Sequence, residues 1–148
     1  MTEDQQKLLQ KLYLEQKMAE SNVEILRQRI EMIQAYLTNY RAGALVLNEL
    51  EKRKEGEEML MNVGGGIFVQ SHLVNPERVT RDIGSNVRIE QSVVEAKKQV
   101  EDAIISLEKQ YEKLANEYNK MLTHAASMSS QLQRLASQMQ NQGERPLV

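Results

Sequence analysis

Few residues in this chain are of a type and spacing that could do chemistry. The two histidines, His72 and His124, have no His-x-x-x-His or carboxylate–histidine partner, so neither reads as a metal ligand or a general base. Glu57-Glu58 and Glu101-Asp102 are adjacent carboxylates on helical segments. Sequence neighbours diverge around a helix and do not face each other, which makes them poor acid/base pairs. Ser129-Ser130 has no base or orienting partner. Gly64-Gly65-Gly66 has the composition of a phosphate loop, but such a loop must lie between a strand and a helix N-terminus. Here it joins two strand-like runs, and a second copy reads Gly84-Ser85-Asn86. The chain has no cysteine, so disulfides, thiolate metal sites and cysteine nucleophiles are excluded. The expectation is no enzyme, no cofactor and no metal.

The elements that would position any site are long helices. Ala, Glu, Lys, Leu, Arg and Gln make up more than half of the chain, against 2 prolines and 4% aromatics. That composition belongs to extended helices rather than to a globule built on aromatic anchors. The 148 residues suit one unit, 1–148, with little room for a second domain. There are 19 basic and 21 acidic side chains, spread evenly, and no third of the chain has the basic excess that phosphate binding requires. No nucleic acid partner is expected. No apolar run approaches the roughly 18 residues of a membrane span, and the N-terminus lacks a signal-peptide core. No membrane is expected either, and the chain reads as soluble and cytoplasmic, to which the lack of cysteine is suited.

Two heptad arms flank a β-rich centre. Every seventh residue from Leu9 gives Leu9, Gln16, Val23, Ile30, Leu37 and Ala44; a second row reads Leu12, Ala19, Leu26, Ile33, Tyr40 and Leu47. All but Gln16 are apolar, an a/d seam sustained for about six heptads. Gly43 interrupts it, and Gly56, after the charged run Glu49–Glu55, marks a stop. At the other end the rows are Val93, Val100, Leu107, Leu114, Met121, Met128 and Leu135, then Lys97, Ile104, Tyr111, Tyr118, Ala125, Leu132 and Met139. Gly143 and Pro146 close that arm. Helices are predicted over about 7–54 and 92–141, with a tail at 142–148, each helix about 70–75 Å long at about 1.5 Å per residue. The matched seams imply an antiparallel pair, with residue 47 near 93 and residue 9 near 131.

The middle, 57–91, changes period. Asn62–Gln70 aligns with Asp82–Glu90, placing Val63 on Ile83, Gly64 on Gly84, Ile67 on Val87 and Val69 on Ile89. Each copy reads strand, glycine-led turn, strand. Asn75-Pro76-Glu77 turns between them. Strands are predicted near 58–63, 67–74, 78–83 and 87–91. Two hairpins from one chain leave edges unpaired, and the helices spend their seams on each other. The hairpins are therefore expected to pair with hairpins of other subunits, through Val63, Ile67, Val69, Ile83, Val87 and Ile89, closing a barrel. The fold class is α+β, mainly helical: a long antiparallel coiled-coil helical hairpin joined by two β-hairpins that assemble into an intersubunit β-barrel.

Residues 123–143 carry a single charge, Arg134, where an exposed arm normally carries e/g charges. Met128, Leu132, Leu135 and Met139, with Leu8, Leu9 and Leu12 of the first arm, form an adaptable apolar patch if the seam splays. A plain coiled-coil end with frayed last turns is the other reading of the same residues.

A long helix, two glycine-turn hairpins and a second long helix, above all Asp82-Ile83-Gly84-Ser85-Asn86-Val87-Arg88-Ile89-Glu90, resemble prefoldin, specifically the α-type subunit of the archaeal kind. The β type of that family has one hairpin, so the duplication selects the α type; Arg88 departs from the apolar or aromatic residue expected there. The resemblance implies a hexamer of two α and four β subunits, its hairpins forming a double β-barrel base. It implies a holdase that retains non-native polypeptides at coil tips without ATP, prevents their aggregation and delivers them to a group II chaperonin. The client contacts would be the tip residues just named. A structural tether or scaffold without client binding is the alternative.

Overall fold

The computed structural model describes residues 3–143; the end of the expected tail, with Pro146, lies outside the described residues. The element order is α1 (Glu3–Leu50), β1 (Glu58–Gly64), β2 (Ile67–His72), β3 (Arg78–Asp82), β4 (Arg88–Ser92) and α2 (Val93–Gly143). This is a mainly helical α+β chain. It divides into two compact units, one of Met1–Gln34 with Gln110–Val148 and one of Ala35–Lys109.

In the first unit the two helices run side by side, and Gln34 Nε2 donates to the Tyr111 hydroxyl at 3.5 Å. Ala19, Leu26 and Met128 are buried, while Leu9, Leu12, Leu132, Leu135 and Met139 are half-buried. In the second unit Leu47, Val93, Ala96 and Val100 form a buried cluster, with Ala44, Leu50, Val79 and Ile104 packed against it. Removing each of the larger side chains from water contributes about 1.5–3 kcal/mol. Arg41 bonds Glu108 at 2.9 Å and Lys97 bonds Glu51 at 3.2 Å across the pair. Leu47 packs with Val93 as expected, and with Val100 as well; the two ion pairs set the register of this unit up to one heptad farther along α2 than the matched seams implied. The physical reason is that an a/d seam slid by seven residues presents the same apolar rows. The charges off the seam break that degeneracy.

Helix α1 ends at Leu50, four residues earlier than expected. Lys52 N–H donates to Glu49 O and Arg53 N–H to Leu50 O, at 3.0 and 3.1 Å, a tightening into i→i−3 bonds that closes the last turn. Gly56 then adopts φ 83°, and its N–H donates to Leu73 O at 2.7 Å, which carries the chain into the first hairpin. At the start of α2, Ser92 Oγ accepts from Glu95 N–H at 3.1 Å. Ser92 caps a helix whose third residue is Glu95, the spacing of a capping box. Ser92→Ala is expected to lower thermal stability by about 1 kcal/mol, read by circular dichroism melting; an unchanged melt would mean that the adjoining Val93 N–H bond to Glu77 O at 2.8 Å starts the helix alone.

Each hairpin is its own two-stranded antiparallel sheet, β1 on β2 and β3 on β4. The duplication is visible in the turns. Asn62 Oδ1 accepts from Gly64 N–H at 2.9 Å, and its counterpart Asp82 Oδ1 accepts from Gly84 N–H at 2.8 Å. Gly65 and Gly66 have φ of 61° and 74°, and the second copy holds Ser85 and Asn86 in the same left-handed region, at 52° and 59°. With Val87 N–H donating to Gly84 O at 2.9 Å, the second turn is of type I′, matched to the twist of its strands. The first hairpin adds a bulge between Asn62 and Gly64, which glycine there accommodates.

Candidate interaction surfaces

Side chains alternate across each strand, and the pairing fixes which share a face. Arg81 faces Ile89 and Val79 faces Gln91. One face of the second hairpin thus carries Val79, Arg81, Ile89 and Gln91, and Val79 packs on the helix cluster. The opposite face carries Arg78, Thr80, Asp82, Arg88 and Glu90, with Arg78 bonding Glu90 at 2.7 Å. Arg88 lies on this polar face across from Asp82, a setting that accepts a charge where an apolar residue was expected.

Five of the six residues assigned to assembly, Val63, Ile67, Val69, Ile83 and Val87, are exposed, and Ile89 is half-buried. Leu60, Met61 and Phe68 on the first hairpin are exposed too. Small two-stranded sheets with this much apolar surface in water are marginal by themselves. Beneath the second hairpin, Arg81 Nε and Gln91 Oε1 are buried with no hydrogen-bond partner among the described residues, although Gln91 Nε2 donates to Gln99 at 3.1 Å.

At the end of the first unit, nearest both chain ends, the tip residues separate. Leu8 is exposed, Leu9, Leu12, Leu132, Leu135 and Met139 are half-buried, and Met128 is buried. Met128 serves the seam in this conformation and is only 8% exposed. Sequence reasoning missed Tyr13, Leu14 and Met18, which are exposed close to this end of α1. Apolar residues lying off the a/d rows were the signal that could have found them. Two hydroxyls of the neutral stretch of α2 turn back on its own backbone: Thr123 Oγ1 donates to Asn119 O and Ser137 Oγ to Gln133 O, at 3.0 and 2.9 Å. Farther along, α1 carries ordinary surface charge. The Arg27 guanidinium pairs with Glu24 and Glu31, and with Gln28 it holds the Glu24 carboxyl below the usual carboxylate range.

The residues first weighed for chemistry stay apart. His72 Nδ1 lies 3.4 Å from Gly56 O, and His124 is exposed on α2. Glu57 is engaged with Arg53 and with the Lys54 N–H. Glu101 and Asp102 are exposed on α2. Among the described residues no group of three or more His, Cys, Asp or Glu could hold a metal. No helix among them is long and apolar enough to cross a membrane.

Comparison with known proteins agrees with this architecture. The prefoldin subunit family model matches residues 19–138. Prefoldin subunit alpha of Archaeoglobus fulgidus is 31% identical over 97 residues, which cover 66% of this chain and 71% of that one. Human prefoldin subunit 5 is 30% identical over 95 residues, 64% of this chain and 62% of that protein. Among solved structures, filamentous PFD from Methanocaldococcus jannaschii superposes with a TM-score of 0.65 at 22% identity, over 78% of this chain and 96% of that one. The prefoldin beta subunit from Thermococcus strain KS-1 superposes at 0.56 with 14% identity, over 86% and 90%. These last two speak to the fold alone. With two glycine-turn hairpins between two long heptad helices, and with α subunits among its relatives, the chain belongs to the prefoldin family as a subunit of the α type.

Proposed function

We propose that this prefoldin subunit is part of an ATP-independent holdase. It assembles with β-type subunits, as two α and four β, through hairpins that close a β-barrel. It retains non-native polypeptides at the helix-pair tips, so that they do not aggregate, and passes them to a group II chaperonin. The observation that carries this reading is the tip: exposed Leu8, Tyr13, Leu14 and Met18 beside an α2 segment, 123–143, with Arg134 as its one charge. Such a surface can take up varied apolar segments because its α2 side imposes almost no charge pattern on a partner and the α1 cations beside it are already paired with carboxylates. Several weak tips acting on one client reach useful retention through effective concentration, while each contact releases quickly.

The half-buried seam at Leu132, Leu135 and Met139 supports the second reading, a zipped tether with no client. One experiment separates them. A chemically unfolded client is diluted into buffer without nucleotide, with this chain and a single-hairpin β-type partner, and light scattering is followed. Suppression that is unchanged by added ATP is the expected result. An assembled complex that leaves aggregation untouched would replace the holdase with the tether.

A further inference from the structure

Helix α1 of the first unit has a second apolar row that the seam does not use. Every seventh residue from Met18 gives Met18, Ile25 and Met32, which are 67%, 44% and 56% exposed. Ile25 and Met32 form the wall of a groove between the two helices of this unit. One stretch of it, about 600 Å³, has Leu26 and Met121 in its floor; the next, about 370 Å³, has Ile33 and Leu114. Arg29 and Glu117 line both stretches, so the groove is continuous. It runs from Asn22 to Ile33 along α1, three turns of helix or about 17 Å.

Charge at the groove is lopsided. Arg29, Lys113 and Lys120 line it against the single carboxylate Glu117, with His124 at one end. Elsewhere on α1 of this unit the cations are engaged: Lys7 with Glu3, Lys11 with Glu15, Lys17 with Glu20, and Arg27 with Glu24 and Glu31. Arg29, Lys113 and Lys120 have no ion-pair or hydrogen-bond partner among the described residues. Three unengaged cations rimming an apolar crevice between two helices complement one kind of occupant. A third helix fits such a crevice by laying its own ridge of side chains into it, and its polar edges meet the cations if they are acidic.

We propose that this groove docks an acidic amphipathic helix of about three turns from a partner protein. Its apolar stripe rests on Ile25 and Met32, and its carboxylates meet Arg29, Lys113 and Lys120. The site is separate from the tip, and the proposal does not depend on client binding there.

The test uses the full chain and a fluorescein-labelled synthetic peptide of about four helical turns, with Leu at i, i+3, i+4 and i+7 and Glu at most other positions. A second peptide carries Lys in place of every Glu, and a third carries a central proline. Fluorescence anisotropy is expected to show the Glu peptide binding at least about tenfold more tightly than the other two, with affinity falling as salt is raised. The pair Ile25→Ser and Met32→Ser should weaken it about tenfold or more. The pair Arg29→Glu and Lys113→Glu should turn the preference toward the Lys peptide, and Val94→Ser with Ile105→Ser, exposed apolar residues outside both groove and tip, should leave binding unchanged. All these positions are exposed, so circular dichroism should report unaltered helix content. Equal binding of the Glu and Lys peptides, no binding, or binding undiminished by the groove variants would each overturn the proposal.

Discussion

Replacing Ile67 and Val87 together by Asp is expected to leave a folded, helical chain that no longer assembles with a β-type partner. In the isolated chain these side chains are 61% and 51% exposed, so carboxylates there stay in water and the helix pair is untouched. In an assembly whose hairpins close on one another, each becomes a charge withdrawn from water with no partner, which costs several kcal/mol. At about 1.4 kcal/mol per factor of ten, two such charges on each α subunit lower the association constant by at least about a thousandfold. The measurement is the mass of the complex by light scattering, with far-ultraviolet circular dichroism as the control for folding. A complex of undiminished mass would mean that the apolar strand faces are not the assembly surface. Placing Asp instead at Thr80, on the polar face with Arg78 and Arg88, should leave the mass as it was.

The sequence made some of this legible because its patterns are redundant. A row such as Val93, Val100, Leu107 and Leu114 states its period several times over, and each of those residues is buried or half-buried in the structure. The hairpins were readable because the chain states them twice, down to the Asn62 and Asp82 side chains that cap the two turns. What a periodic signal cannot fix is its own phase. Leu47 packs with both Val93 and Val100, so the apolar rows alone leave the register open. In the second unit it is marked by Arg41 with Glu108 and by Lys97 with Glu51, contacts between residues far apart in the chain. Reading two rows also hid a third. Met18, Ile25 and Met32 repeat at seven like the seam, yet they face solvent, because only two positions of each heptad can face one partner helix. For the same reason the tip could be located but not resolved. That Met128 is buried while Leu14 is exposed depends on the phase of the pair.

Changing Leu8, Leu14 and Met18 together to Ser is expected to cut client protection sharply while helix content and complex mass stay constant. All three are exposed, and surface substitutions of this kind change stability by no more than about 0.5 kcal/mol. Each side chain offers a client about 1 kcal/mol or more when it is covered. Three of them lost at every α tip remove about 3 kcal/mol per engaged tip, a hundredfold in retention at about 1.4 kcal/mol per factor of ten. Leu132→Ser, Leu135→Ser and Met139→Ser act differently. These residues are half-buried against the seam, so their loss should lower helix content at the end of the pair as well as protection. The contrast locates the contact. Protection lost with the surface triple at constant helicity means that clients rest on the outside of a zipped tip. Full protection by the surface triple, with loss confined to the seam triple, would show that the pair must open before it holds anything.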